Sequence, residues 1–290
     1  MATCYRHPGR ETGVSCSNCG RPICPDCMTP TPVGMRCPEC ASQKTRVIRG
    51  AAAVNRTPRV TVTLIAINVL VFLFEGPTAF TFGGSAGGTL IEKGALIGSF
   101  PTLPGIGVAH GQWWRIVTCG FLHENFLHIG FNMWVLYVFG TMLEPAIGSL
   151  KFAVVYFVSL LASSFVALIT TPHGITVGAS GAIFGVMGAV VVVLYERRIP
   201  IMQSGVGWVI ALNLIFSFTL PGISWGGHLG GLAGGLLTMA ALQFGDRLRS
   251  PAIGYGISIL IAVVCFAGAV EVAHRNLENG PVFVPGGPVR

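Results

Sequence analysis

Gly178-Ala179-Ser180-Gly181-Ala182-Ile183-Phe184-Gly185 opens a long apolar segment that runs to Tyr195 and holds no other candidate nucleophile. A serine hydroxyl flanked by glycine and alanine is sterically open on both sides, as a group that attacks a substrate carbonyl must be. Stripes of small residues also occur where membrane helices pack closely, so this stretch does not decide between catalysis and packing. A second stretch bears on the choice. Trp225-Gly226-Gly227-His228-Leu229-Gly230-Gly231 opens another apolar segment, and a histidine there is costly unless it is paired or functional.

The surroundings of both stretches are those of a membrane protein. Of 290 residues, 52% are hydrophobic and only 10% charged, where a soluble domain would carry about a quarter charged. Apolar runs at 60–74, 126–143, 151–169, 177–195, 201–220, 226–244 and 252–270 each approach the ~20 residues that span a bilayer. They predict an all-α polytopic protein with seven membrane helices. The formal charge of +7 is therefore read by position rather than as a sign of nucleic-acid binding. Lys44, Arg46, Arg49, Arg56 and Arg59 precede the first run, and Lys151, Arg197, Arg198, Arg247 and Arg249 fall in alternate connections. Positive residues are retained in the cytoplasm, which predicts a multi-pass plasma-membrane protein with a cytoplasmic N-terminus and an extracytoplasmic C-terminus. The polar first 45 residues predict no signal peptide. The expected domains are a metal-binding module at 1–42, a basic linker at 43–59, a six-helix core at 60–245, and a seventh helix with its tail at 246–290.

That topology carries chemistry. The second, fourth and sixth helices run in the same direction, so Ser180 and His228, each near the start of its helix, should lie at one depth. Gly226, Gly230 and Gly234, and likewise Gly227, Gly231 and Gly235, repeat every four positions. Such faces let backbones approach closely, as a Ser–His hydrogen bond of about 2.6–3.2 Å requires. With no acidic residue in the fourth or sixth helix at that depth, the pair reads as a dyad. The second helix contributes His123-Glu124-Asn125-Phe126-Leu127-His128-Ile129-Gly130-Phe131-Asn132. A zinc-protease helix needs histidines four apart, whereas His123 and His128 are five apart, about 140° around a helix. No catalytic metal is expected. His128 and Asn132 are four apart on one face, and donors there can stabilise an oxyanion.

The N-terminal 42 residues read differently. Cys4-x2-His7, Cys16-x2-Cys19, Cys24-x2-Cys27 and Cys37-x2-Cys40 are four pairs at metal-ligand spacing, enough for two tetrahedral zinc sites. Cys19 and Cys24 are too close in sequence for their pairs to share an ion comfortably. Alternate pairing is expected: Cys4, His7, Cys24 and Cys27 on one zinc, Cys16, Cys19, Cys37 and Cys40 on the other. Four protein ligands leave no open position, so both ions would be structural. The module resembles a B-box-like cross-braced zinc finger, and its expected partner is a cytosolic protein rather than nucleic acid.

From about residue 60 to 244 the chain resembles the rhomboid intramembrane serine proteases. The resemblance rests on Trp114-Arg115, on His123…His128-x3-Asn132, on Gly178-x-Ser180-Gly181 and on Gly227-His228-x-Gly230-Gly231. It implies a six-helix core with one added C-terminal helix, and cleavage of transmembrane segments of membrane proteins within the lipid bilayer. It implies Ser180 as nucleophile and His228 as general base and then acid. It also implies an oxyanion and substrate site of His128, Asn132 and the Ser180 N–H, with Gly178 and His123 alongside. Trp114-Arg115 would end a loop, roughly 76–113, that lies partly in the outer leaflet as a structural brace, and Glu144 matches a structural position. Many relatives carry tyrosine where this chain has Phe184, so ring stacking on the histidine should survive without the hydroxyl. Zinc modules of this kind resemble those on some actinobacterial members. The rival reading is a catalytically silent scaffold that binds membrane helices.

Overall fold

Contacts divide the chain into two units, Met1–Ala52 and Ala53–Arg290. The computed structural model describes residues 2–31, 34–42, 57–75, 89–99, 105–219 and 222–278. The expected basic linker, apart from residues 57–59, and the tail beyond Glu278 lie outside the described residues.

The N-terminal unit is built from two hairpins and one short helix. Strand β1 (Ala2–Thr3) pairs antiparallel with β2 (Glu11–Thr12), and β3 (Thr29–Thr31) with β4 (Gly34–Arg36), before helix α1 (Pro38–Ser42). Among the described residues its buried apolar side chains are Ile23 and six cysteines. Folding cannot rest on so little apolar surface. Polar ties run across the unit: Tyr5 and Arg6 both reach Glu39, and Arg10 pairs with Asp26. The Tyr5 hydroxyl and the Arg6 guanidinium hold the Glu39 carboxyl down at about 2, since hydrogen bonds to the charged form favour it.

In the second unit the apolar runs form helices. They are α2 (Arg59–Leu73), α5 (Phe126–Ile147), α6 (Ser149–Thr170), α7 (Ser180–Glu196), α8 (Val206–Thr219), α9 (Trp225–Arg247) and α10 (Pro251–Glu278). Two short helices, α3 (Thr89–Gly94) and α4 (Arg115–Thr118), precede α5. By length and composition α5, α6 and α10 suffice to cross a membrane, and α2, α7 and α8 are shorter apolar helices.

Several boundaries differ from the sequence expectation, each for a local reason. The run at 177–195 becomes helical only at Ser180, because Thr176 exchanges backbone hydrogen bonds with Leu96 and the Gly178 N–H donates to the Cys119 carbonyl at 2.9 Å. The chain thus enters α7 extended and pinned. The run at 201–220 begins in turns, and α8 starts only after Gly205 (φ 79°). The seventh helix, by contrast, continues to Glu278. Asn125 starts α5, its side chain accepting from the His128 N–H at 3.0 Å, and Ser224 caps α9 by accepting from the Gly227 N–H. Such caps satisfy donors that the first helical turn leaves free.

Glycine sets how closely the central helices meet. A β-carbon on Gly230 would stand 2.6 Å from the Ala162 carbonyl of α6, and one on Gly235 would stand 1.9 Å from the Gly185 carbonyl of α7. The two glycine repeats of α9 therefore serve different neighbours. Gly226, Gly230 and Gly234 face α6, whereas Gly231 and Gly235 face α7. Elsewhere a buried carboxylate holds elements together. Glu144 of α5 accepts from the Val60 and Thr61 N–H groups, the Thr61 hydroxyl and the Ser149 hydroxyl, at 2.6–2.9 Å. It thereby caps α2 and ties it to the α5–α6 turn.

Candidate active site

Ser180 is the first residue of α7, and His228 lies in the first turn of α9. Backbone contact between the two helices brings them together, and His228 Nε2 stands 2.7 Å from Ser180 Oγ. Phe184, one turn into α7, stacks on the imidazole with centroids 4.3 Å apart and planes inclined by 19°. The stacking expected of Phe184 is present and limits rotation of the histidine ring.

The pair opens on a cavity of about 450 Å³ that is also lined by His128, Asn132 and Gly178. His128 and Asn132 share one face of α5, as their spacing predicts. Asn132 Nδ2 is buried and has no hydrogen-bond partner among the described residues. Such an orphaned donor is costly unless it serves a ligand or reacting group. Gly178 has φ +122°, and a β-carbon there would lie 2.7 Å from His128 Nε2 and 3.7 Å from Asn132 Nδ2. Both backbone conformation and space demand glycine. The two side-chain nitrogens thus converge on the backbone just ahead of Ser180. As the first residue of α7, Ser180 has an N–H that no helical carbonyl can take, at the positive end of the helix dipole.

His123 departs from its expected place. It precedes the Asn125 cap and so is not on the α5 helix, and the 140° helical separation from His128 does not apply. It is fully buried, does not line the cavity, and packs edge-on behind His128 with centroids 5.1 Å apart. Its backbone N–H donates to Glu75 at 2.9 Å. The signal was available in the sequence, since an asparagine three residues before His128 is a helix start.

One neighbour of the pair escaped the sequence reading. Ser217 of α8 is buried, and its Oγ lies 2.5 Å from His228 Nδ1. Asn213 and Ser217, both on the cavity wall, are polar residues four apart in an apolar run. Polar side chains within such a run mark functional positions, and that signal could have found them. Among the described residues at the start of α4, Trp114 and Arg115 are tied to α3 and to its C-terminal end. The buried Arg115 guanidinium donates to the Glu92 and Ala95 carbonyls and to Gln112 at 2.6–2.8 Å, and Trp114 Nε1 donates to the Lys93 carbonyl at 3.0 Å.

In the N-terminal unit two further groups gather: Cys4, His7, Cys24 and Cys27, and Cys16, Cys19, Cys37 and Cys40. Within each group all ligand atoms lie within 4.8 Å of one another. His7 Nδ1 is 3.9, 3.3 and 3.5 Å from the sulfurs of Cys4, Cys24 and Cys27, and the Cys19 and Cys37 sulfurs are 3.8 Å apart. Metal–sulfur bonds of ~2.3 Å and metal–nitrogen bonds of ~2.0 Å in a tetrahedron require edges of about 3.6 and 3.8 Å. Both groups fit a tetrahedral metal ion.

Residues 110–243 match the Rhomboid domain. Over 241 residues, 82% of this chain and 44% of its relative, the sequence is 31% identical to Rhomboid protease GluP of Bacillus subtilis (strain 168). It is 35% identical over 180 residues to RHOMBOID-like protein 5 of Arabidopsis thaliana, covering 57% of this chain and 56% of that one. It is also 30% identical over 234 residues to the mitochondrial RHOMBOID-like protein 6 of Arabidopsis thaliana, covering 72% of this chain and 74% of the relative. The chain spans about half the length of the first two. The matched segment contains Ser180, His228, His128 and Asn132, and the chain belongs to the rhomboid family.

Proposed function

We propose that this protein is an intramembrane serine endopeptidase that cleaves transmembrane segments of membrane proteins. The observation that carries the reading is the 2.7 Å approach of Ser180 Oγ to His228 Nε2 in a cavity that also receives the unpartnered amide of Asn132. His228 Nε2 takes the Ser180 proton as Oγ attacks the scissile carbonyl. The negative charge that develops on the carbonyl oxygen is met by Asn132, His128 and the Ser180 N–H. The imidazolium then passes its proton to the leaving amine, and the peptide bond breaks to leave an acyl-serine. Water, deprotonated by the same nitrogen, releases the acid and restores Ser180.

A membrane helix has its backbone groups paired internally, so a substrate must unwind at its scissile bond. Segments with helix-weakening, small residues suit a site walled by Gly178. The helices form a six-helix core plus one, oriented by their charged ends. Lys151 pairs with Asp246 and Arg247 with Glu196, all remote in sequence from the helix starts that carry Ser180 and His228. That charged end faces the cytoplasm, by retention of positive residues, as does the N-terminus. Cys4, His7, Cys24 and Cys27 would hold one zinc ion and Cys16, Cys19, Cys37 and Cys40 another, both purely structural. The zinc module is B-box-like and serves a cytosolic protein partner.

Labelling of the purified protein by a fluorophosphonate probe tests the reading. Labelling that is lost in Ser180→Ala supports it. A wild-type protein that neither labels nor cleaves any transmembrane substrate favours the silent scaffold instead.

A further inference from the structure

A histidine can act as base at Nε2 only in the tautomer that carries its proton on Nδ1. No carboxylate performs that selection here: His228 Nδ1 faces Ser217 Oγ at 2.5 Å. The same hydroxyl lies 2.7 Å from the carbonyl oxygen of Asn213, one turn earlier in α8. A hydroxyl has one hydrogen and two lone pairs, and a carbonyl oxygen can only accept. The hydroxyl hydrogen therefore points at Asn213, because otherwise two acceptor oxygens would face each other at 2.7 Å. What Ser217 presents to His228 is a lone pair, so Nδ1 must bring the proton and Nε2 is left bare toward Ser180. This assignment follows from the network of donors and acceptors.

We infer that Ser217 is a positioning residue that selects the catalytic tautomer of His228 and holds its ring, with Asn213 fixing the direction of the Ser217 hydroxyl. The inference rests on the reading of Ser180 and His228 as nucleophile and base. Ser217 takes the orienting place of the acid in a Ser-His-Asp triad, supplied by a hydroxyl on a third helix. Placement agrees with this role. Of the fourteen residues of α8 only Val206, Ile210 and Ser217 are buried, so Ser217 is the one buried polar residue of a largely exposed helix. Phe184 confines the ring from its face, and Ser217 fixes its rotation within that plane. The bond persists through the reaction: the Nδ1 proton stays on the ring when Nε2 gains its own, so the hydroxyl accepts in both states. A neutral hydroxyl does not offset the imidazolium charge as a carboxylate does.

The test uses the full-length protein in detergent, with a fluorophosphonate probe and a transmembrane substrate. Ser217→Val and Ser217→Thr have the same shape and differ in the hydroxyl. Ser217→Val should lower kcat and the labelling rate roughly 10–100-fold, less than the ~10⁴ that follows loss of an orienting carboxylate, with KM little changed. Ser217→Thr should recover most of the rate. Equal rates for the two variants, whether both high or both low, or a change confined to KM, would overturn the assignment. Failure of the wild type to label at Ser180 would remove the proteolytic reading itself, which separates the two outcomes.

Discussion

Gly231 of α9 meets Gly181 of α7 so closely that a β-carbon on Gly231 would stand 1.9 Å from the Gly181 carbonyl oxygen. This contact sits one residue from Ser180 and three from His228, and it sets the distance between them. The obstacle is backbone rather than a flexible side chain, so Gly231→Ala must part the helices. Overpacking of this kind costs about 1–3 kcal/mol, and a displacement of ~1 Å at the reacting groups costs about 10²-fold in rate. Thermal unfolding in detergent should fall, together with probe labelling. Gly256→Ala in α10, where nothing lies within 4 Å, is the control and should leave both unchanged.

Ser180→Ala and His228→Ala should each abolish cleavage of a transmembrane substrate, and the double variant should be no worse than either. Groups that act as a unit lose their contributions together. Circular dichroism of both variants should be that of the wild type, since the hydrogen bond they lose is one among many. Full activity in either would eliminate the dyad.

Asn132 differs, because its amide nitrogen has no partner among the described residues and waits for charge that exists only during reaction. Removing one such donor costs about 10²–10³ in kcat. Asn132→Ala should show this with KM nearly constant. The variant should be no less stable than the wild type, since a buried orphan donor has been removed. A rise in KM alone would mark Asn132 as a substrate contact only.

Glu144 should behave in the opposite way. It accepts four hydrogen bonds that join α2 to the α5–α6 turn. In Glu144→Ala, buried donors lose their acceptor at about 1–3 kcal/mol each when left unsatisfied. The melting temperature should drop markedly, while protein that remains folded should label at Ser180 close to the wild-type rate. Loss of labelling in fully folded protein would assign Glu144 to the chemistry.

Metal analysis of the full chain should find two zinc ions, reduced to about one when Cys24 and Cys27 are replaced by serine. A chelator should remove both and unfold the N-terminal unit, whose buried apolar side chains among the described residues are six cysteines and Ile23. Brief chelation, or deletion of residues 1–41, should leave labelling of Ser180 intact, because the unit has its own contacts and both metal-ligand groups found among the described residues lie within it. A truncated protein that folds but does not label would show that the N-terminal unit controls catalysis.

Much of this was legible in the chain because the signals are local. Period and length of the apolar runs mark the helices, and a four-residue step puts His128 and Asn132 on one face whatever surrounds them. The two-residue spacing of cysteine pairs limits which can share an ion, and alternate pairing is the arrangement in which the ligand atoms gather. Even the two glycine repeats could be read as packing faces. The apolar run opens at Phe126, where α5 starts; what was misjudged was His123, set on the helix of His128 although Asn125 announced a cap between them.

Sequence alone therefore determined the residue types and their order: a serine and a histidine at the starts of two same-direction helices, with donors on a third. Tertiary structure alone decided what touches what. It assigned Gly226, Gly230 and Gly234 to α6, and Gly231 and Gly235 to α7. It buried His123 behind the cavity wall and brought Ser217 against His228 Nδ1. Periodicity says which residues share a face of one helix. The partner of that face depends on crossing angles and on the rotation of each helix about its axis, and these follow from the packing of all the helices at once.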